Sequence, residues 1–156
     1  MKPLNHKVQI TKEGHLELTR ELKELQQIKL PEAIERVSKA RSLGDLSENF
    51  EYHAAKEDHA TMVGRIEELA DIIKRAQIIR KATNKSSINI GNQVHVTVKG
   101  SDHVFTIVGK WEANPAEKKI SNESPLGKAL LGKKVGEKVS VEAPAGTIIY
   151  HIKKIK

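Results

Sequence analysis

Three carboxylates lie within a stretch of seven residues, at Asp45, Glu48 and Glu51. Carboxylate oxygens are good Mg²⁺ ligands, but two or three of them hold the ion weakly, and such sites usually borrow ligands from a partner or from substrate phosphates. In two-metal phosphodiester chemistry, one ion activates water and the other stabilises the leaving oxygen. The stretch therefore fits half of a metal site better than a complete active centre.

The same acids also have a structural interpretation. Asp45 and Glu48 have the N-cap and N3 spacing of a capping box, with aspartate in the role of serine. Acidic residues in the first turn of a helix also interact favourably with the helix dipole. Residue types alone favour this capping role, although capped acids at the end of a rigid element would also be positioned for delivery to a partner.

Two long helical patterns flank the acids and must position them. The first begins after Thr11, a candidate N-cap, and ends at Gly44, which tolerates the left-handed conformation that terminates helices. Its leucines step by three and four from Leu18, with a five-residue gap before Leu30. Because Pro31 lacks a backbone donor and crowds the preceding turn, we expect a kink or phase shift there.

The second helical pattern has a regular coiled-coil seam of alternating three- and four-residue steps. The seam consists of Tyr52, Ala55, His59, Met62, Ile66, Leu69, Ile73 and Ala76. At about 1.5 Å per residue, an arm of about thirty residues is roughly 45 Å long. The sequence thus predicts an antiparallel coiled-coil hairpin with the three acids at its tip.

The C-terminal half changes to a period of two, which is typical of strands. Residues 82–88 are interpreted as a linker, and a strand, turn and returning strand are expected over residues 94–98, 100–102 and 104–108. A short helix over residues 126–131 follows Ser124 and Pro125, and a closing hairpin joins residues 139–141 to 147–155. The fold class is therefore α+β, with a helical domain over residues 1–82 and a β-rich domain over residues 83–156.

The charge and composition limit the possible functions. The 156 residues carry a formal net charge of +7, and the absence of cysteine excludes disulfides and thiolate metal sites. Residues 1–84 contain 15 basic and 14 acidic residues, whereas residues 85–156 contain 12 and 6, so the basic excess is C-terminal. Such an excess suits a nucleic-acid or acidic-protein neighbour. No signal peptide or membrane-spanning run is recognised, which predicts a cytoplasmic protein without membrane contact.

Basic side chains lie near the predicted tip. One interpretation is ion pairing along the hairpin with Glu32, Glu35 and Glu57, and the other is contact with a phosphate backbone, which would be salt-dependent. The basic residues are Arg36, Lys39, Arg41 and Lys56.

Residues 40–57 resemble the hairpin tip of bacterial Gre transcript cleavage factors. They read Ala-Arg-Ser-Leu-Gly-Asp-Leu-Ser-Glu-Asn-Phe-Glu-Tyr-His-Ala-Ala-Lys-Glu, and the last seven are closer to the GreA branch of that family than to the GreB branch. The resemblance extends over nearly the whole chain. In the C-terminal half it covers Ile107-Val108-Gly109, Glu112-Ala113-Asn114-Pro115, and Ser124-Pro125-Leu126-Gly127-Lys128-Ala129-Leu130-Leu131-Gly132.

The resemblance implies a C-terminal domain similar to FKBP-type prolyl isomerases that binds RNA polymerase, and a coiled coil that enters the polymerase's secondary channel. It implies a factor that is not itself an enzyme and that acts as a monomer. At the tip, Asp45 and Glu48 would help to hold the polymerase's second catalytic Mg²⁺, and Ser47 and Asn49 would assist. The polymerase would then cleave a backtracked RNA 3′ end, and elongation would resume. No cofactor of the factor's own is implied.

The chain departs from the family pattern at three places. Leu30 replaces the common arginine before the proline, Phe50 replaces a small residue after Asn49, and Ser42-Leu43 replaces the usual Glu-His before Gly44. Two other functions are considered. One is a channel-binding regulator that inhibits polymerase without stimulating cleavage, and retention of both acids argues against it. The other is a prolyl isomerase, for which the C-terminal half has few aromatic residues.

Overall fold

The computed structural model describes residues 7–42, 49–79, 86–143 and 146–156. Three predicted tip residues, Asp45, Ser47 and Glu48, lie outside these ranges. The described chain forms two compact units, one over residues 15–75 and the other over residues 7–14 and 76–156. The second unit thus includes the start of the chain, whereas the sequence pattern assigned that segment to the helical domain.

The first unit is a helical hairpin. Helix α1, Lys12–Glu24, begins in the second unit and continues through a π-helical turn, Leu25–Lys29, into α2, Leu30–Ser42. Helix α3, Phe50–Arg75, packs against α2. The contacts Arg36–Asp58 and Glu21–Arg65 pair early residues of one arm with late residues of the other, so the arms are antiparallel, as predicted.

A π-helical turn accounts for the irregular leucine spacing. The backbone N–H of Leu30 donates to the carbonyl of Leu25, five residues earlier rather than four. A π turn adds one residue to the helical repeat, which matches the five-residue gap in the apolar pattern. The predicted phase shift is therefore confirmed, and it occurs in the turn just before Pro31.

Small residues fill much of the hairpin interior. Ala33, Ala40 and Ala55 are almost fully buried and contribute little volume, which allows α2 and α3 to approach closely. The predicted seam on α3 is confirmed at Ala55 and Leu69, which are buried, and at Tyr52, His59, Met62, Ile66 and Ile73, which are half-buried. Its last predicted position, Ala76, is wrong, because this residue begins a strand.

The segments before α1 and after α3 form a two-stranded parallel sheet, which the sequence pattern did not predict. Strand β1, Val8–Thr11, pairs with β2, Ala76–Ile79, in the register Ile10↔Ile78. Ile10 is fully buried. Four-residue strands contain too few alternations to be recognised from periodicity, and the pairing joins segments more than sixty residues apart in the printed sequence.

The remainder of the second unit is a five-stranded sheet with one short helix, and all neighbouring strands are antiparallel except β4 and β5. The strands are β3 Gln93–Val98, β4 Ser101–Val108, β5 Lys119–Ser121, β6 Lys138–Ala143 and β7 Gly146–Ile155, in the spatial order β5-β4-β3-β7-β6. Helix α4, Pro125–Leu130, and two 3₁₀ turns, Lys110–Glu112 and Pro115–Glu117, lie between strands.

Most of the predicted C-terminal elements are confirmed. Both hairpins form, and the Ser124 side chain caps α4 by accepting from the Gly127 N–H at 3.0 Å. Strand β5 was not predicted. The linker prediction is wrong at its end, because Ile88 is fully buried and its N–H donates to the Lys133 carbonyl at 2.8 Å. Leu130 of α4 is also fully buried and belongs to the hydrophobic core of this unit.

Candidate functional site

Asn49 joins the two helices at the end of the hairpin. Its side-chain Oδ1 accepts from the Tyr52 N–H at 3.0 Å, and its backbone carbonyl accepts from the His53 N–H at 3.2 Å. These bonds make Asn49 the N-cap of α3, since Tyr52 is the N3 residue. Its Nδ2 donates to the Ala40 carbonyl in the last turn of α2 at 2.8 Å. One amide side chain therefore satisfies a backbone donor of one helix and a backbone acceptor of the other.

The predicted capping box of Asp45 and Glu48 lies outside the described residues, and the cap that the structure describes is a different one. The cap of α3 is Asn49, four residues after Asp45, and the side chain at N3 is Tyr52 rather than Glu48. At the end of α2, the Ser42 hydroxyl donates to the Lys39 carbonyl at 2.7 Å. Among the described residues, the side chains that bond to these helix ends are the neutral Asn49 and Ser42.

The predicted site residues divide into two groups. Asp45, Ser47 and Glu48 lie outside the described residues, so the structure gives no geometry for them. Asn49 lies within them, and both polar groups of its side chain are hydrogen-bonded inside the hairpin. Sequence reasoning placed Asn49 among the residues that assist chemistry and missed its cap, although Asn is among the most favoured N-cap residues.

The basic side chains near the tip are largely available to solvent. Arg36 is hydrogen-bonded to Asp58 on α3 at 3.1 Å, with both side chains more than half exposed. Lys39, Arg41 and Lys56 are exposed, and none forms an ion pair with another described residue. The predicted pairing with the glutamates of the hairpin is therefore not found among these residues, since Arg36 uses an aspartate instead.

Phe50 follows the cap and is 85% exposed. It is the most exposed large apolar side chain among the described residues, the next being Leu16 at 59%. Because Asn49 contacts Ala40, the residues that follow each of them, Phe50 and Arg41, lie at the same end of the hairpin. The sequence marked Phe50 as unusual but did not predict its exposure.

A charged cluster holds the two arms together farther along the hairpin. Arg65 on α3 makes two hydrogen bonds to the Glu21 carboxylate on α1, at 2.9 and 3.2 Å, and one to Glu68 at 2.6 Å. The hydrogen bonds to Glu21 are the main reason that the pKa of Arg65 is raised above its usual value. The guanidinium is charged at every physiological pH, so this cluster fixes the helices without acting as a proton donor.

A group of hydrogen bonds around Glu112 lies in the β-rich unit and was not predicted from the sequence. The Glu112 carboxylate accepts from the backbone N–H of Thr11 at 2.8 Å, from the Thr11 hydroxyl, and from the Gly109 N–H at 3.2 Å. The Thr11 hydroxyl in turn accepts from the Gly14 N–H at 3.0 Å, which confirms Thr11 as the N-cap of α1. A side chain on Gly14 would overlap Glu112.

The described residues contain no group of three or more His, Asp or Glu side chains that could hold a metal ion. No helix within the described part of the chain is long and apolar enough to cross a membrane.

The aromatic residues of the C-terminal half make separate contacts. The ring centroids of Phe105 and Tyr150 are 6.5 Å apart, and the Lys110 ammonium lies 5.4 Å from the centroid of the Trp111 ring.

Two family models cover almost the whole chain. Residues 8–78 match "Transcription elongation factor, N-terminal", and residues 83–156 match "Transcription elongation factor, GreA/GreB, C-term". The helical hairpin and the β-rich second unit agree with these two matches. The chain belongs to the GreA/GreB family of transcription elongation factors.

Within the family, the similarity is to factors named GreA. Transcription elongation factor GreA of Bacillus velezensis is 44% identical over 148 residues, which is 94% of each chain. The GreA of Listeria welshimeri is 45% identical over 149 residues, 94% of this chain and 93% of that one. GreA factor homolog 1 of Thermus thermophilus, a solved structure, is 30% identical over 97% of this chain and 99% of its own, with a TM-score of 0.46.

Proposed function

We propose that this protein binds RNA polymerase, inserts its helical hairpin into the secondary channel, and stimulates the polymerase's own cleavage of backtracked RNA 3′ ends. It acts in the cytoplasm as a monomer and is not itself a nuclease. The proposal rests on membership of the GreA/GreB family together with the acidic sequence between the two hairpin arms.

One structural observation carries the assignment of the acids. Asn49 provides the N-terminal cap of α3 and also bonds to the carbonyl of Ala40 at 2.8 Å. The N-cap of α3 within the described residues is therefore a neutral side chain. The sequence adds two carboxylates just before this cap, Asp45 and Glu48, which supports a role toward a partner.

The chemistry divides between the two proteins. Asp45 and Glu48 would supply oxygen ligands to a Mg²⁺ that the polymerase shares, and Ser47 would orient neighbouring groups by hydrogen bonding. When bound, that ion would activate the attacking water molecule, while the polymerase's other ion would stabilise the leaving oxygen of the scissile phosphodiester. Weak intrinsic affinity is expected of two carboxylates, so the site would form only when the polymerase and the RNA phosphates add their ligands.

The rigid shaft is what makes such delivery possible. Helix α2 packs against α3, and the exposed contacts of Arg65 with Glu21 and of Arg36 with Asp58 bridge the two arms. The exposed cations Lys39, Arg41 and Lys56 would approach the RNA backbone near the tip, with an attraction that weakens as salt rises.

The test is a transcript cleavage assay on a polymerase halted in a backtracked position with Mg²⁺ present. We expect the full-length protein to accelerate release of the RNA 3′ fragment at least tenfold over polymerase alone, by analogy with the electrostatic contribution of positioned catalytic ligands. Inhibition of nucleotide addition without any acceleration of cleavage would instead identify a channel-blocking regulator. A matched variant, Glu57→Gln, removes an exposed carboxylate of α3 that pairs with no described residue, and it should retain stimulation.

A further inference from the structure

Phe50 is placed to contact something outside the hairpin. A phenylalanine side chain can bury about 150–250 Å² on contact, yet Phe50 is 85% exposed and adds almost nothing to the hairpin interior. The other exposed large apolar residues of the described chain are only half to three-fifths exposed. Their partial contacts are ordinary for a protein surface, so Phe50 stands apart from them.

The backbone at Phe50 is held by the cap of the helix. It is the first residue of α3, directly after the Asn49 cap, and the cap bonds to Tyr52 and Ala40 hold that turn in place. No aromatic ring among the described residues stacks on it, since Tyr52 packs edge-on against His53 instead. An ordered backbone therefore presents an unpartnered aromatic ring at the end of the hairpin.

The surroundings of Phe50 indicate the chemistry of its partner. Arg41 lies at the same end of the hairpin, one residue beyond the contact between Ala40 and Asn49, and Lys39 is exposed on the same last turn of α2. Neither forms an ion pair with a described residue. Aromatic rings beside exposed cations are typical of surfaces that bind single-stranded nucleic acid, where bases stack on the ring and phosphates meet the cations.

We infer that Phe50 is a stacking platform for a nucleobase at the 3′ end of the extruded RNA. The inference rests on the proposed function and deepens it, because it adds recognition of the substrate's base to recognition of its phosphates. Phe50 acts as a positioning residue: by holding the terminal base, it places the upstream phosphodiester relative to the tip. A base-dependent effect is expected, since purines offer a larger stacking surface than pyrimidines.

Cleavage kinetics provide the first test. Backtracked complexes carry RNAs that differ only in the 3′-terminal nucleotide, which is adenosine, uridine or an abasic residue. Phe50→Ala should slow stimulated cleavage about tenfold for the adenosine end, less for uridine, and hardly at all for the abasic end, by the usual magnitude of base–aromatic stacking. Phe50→Trp should restore the rate. Leu16→Ala, an exposed apolar residue at the other end of the hairpin, is the matched control and should change nothing.

A binding measurement separates this inference from the proposed function. With 2-aminopurine at the RNA 3′ end, the wild-type protein should quench its fluorescence through stacking, and Phe50→Ala should not. Quenching without stimulated cleavage would support the stacking contact while contradicting the proposed function. Stimulated cleavage with no quenching, or a Phe50→Ala defect of equal size on all three RNAs, would overturn the inference and indicate a contact with the polymerase instead.

Discussion

The Nδ2 group of Asn49 lies 2.8 Å from the carbonyl oxygen of Ala40 and donates a hydrogen bond to it. This bond joins the first residue before α3 to the last turn of α2, while the Oδ1 of the same side chain caps α3. A helix leaves its first N–H groups and last carbonyls without intrahelical partners. Asn49 satisfies one of each at this end of the hairpin.

The two side-chain hydrogen bonds of Asn49 should make separate contributions to the stability of the hairpin. Asn49→Ala removes the cap and the bond to Ala40, and we expect a loss of about 2 kcal/mol in the free energy of unfolding. Asn49→Asp keeps the acceptor for the Tyr52 N–H but loses the donor, so a loss of about 1 kcal/mol is expected. Urea denaturation followed by helical circular dichroism measures both. Equal losses for the two variants would mean that the bond to Ala40 contributes nothing.

Two glycines in helices should respond to alanine in opposite ways. A Cβ on Gly14 would come within 2.0 Å of the Glu112 carboxylate, which is held by Thr11 and Gly109, whereas a Cβ on Gly64 would meet nothing within 4 Å. Gly14→Ala should therefore destabilise the protein by about 2 kcal/mol. Gly64→Ala should stabilise it by about 0.5–1 kcal/mol, because alanine is the better helix former.

The Gly14 effect should disappear when Glu112 is removed. In a Glu112→Ala background the steric conflict is absent, so Gly14→Ala should become neutral or stabilising, and the two substitutions should be strongly non-additive. Thermal and urea unfolding of the four proteins in the cycle measure this coupling. Additive effects would show that Glu112 is not what makes glycine necessary at this position.

The Arg65–Glu21 contact should contribute little to stability despite its good geometry. Both side chains are more than a third exposed, so solvent screens the pair. A double-mutant cycle with Arg65→Met and Glu21→Gln should give a coupling free energy below about 1 kcal/mol, decreasing as salt is added. A coupling that is several times larger and insensitive to salt would show that this pair is a principal support of the hairpin.

The exposed lysine and arginine near the tip should matter for RNA rather than for folding. Lys39→Gln and Arg41→Gln remove charges that pair with no described residue, so the unfolding free energy should change by less than about 0.5 kcal/mol. Stimulation of cleavage should fall, and its dependence on salt should become shallower, because each phosphate contact adds about one unit to the salt slope. Rates measured across a range of KCl concentrations, with Arg20→Gln on α1 as the control, test this.

The sequence predicts the regular elements well because they repeat. The seam of α3 and the alternation of β3 are read from many residues at once. The five-residue gap before Leu30 predicted a kink or phase shift, and the structure provides the shift as a π turn. The pairs that could not be predicted are single contacts between distant segments. Ile10 with Ile78, and Thr11 with Glu112, are set by the tertiary fold, and no local spacing signals them.

At the tip of the hairpin, too, the sequence alone did not determine which residues make which contacts. The spacing of Asp45 and Glu48 allowed two interpretations, because a capping box and a ligand pair use the same residue types, and residue types alone favoured the cap. The cap found on α3 is Asn49, whose bonds to Ala40 and Tyr52 depend on how the second arm returns to the first. An asparagine just before a helical pattern is a local signal for that cap.

The most direct test of the account measures stimulated RNA cleavage as a function of Mg²⁺ concentration. We predict that the wild-type protein lowers the Mg²⁺ concentration needed for half-maximal cleavage, and that Asp45→Asn/Glu48→Gln returns it to the value for polymerase alone while still competing with wild type for polymerase. A double variant that stimulates cleavage as well as wild type, at the same Mg²⁺ concentration, would contradict the claim that these acids complete the polymerase's metal site.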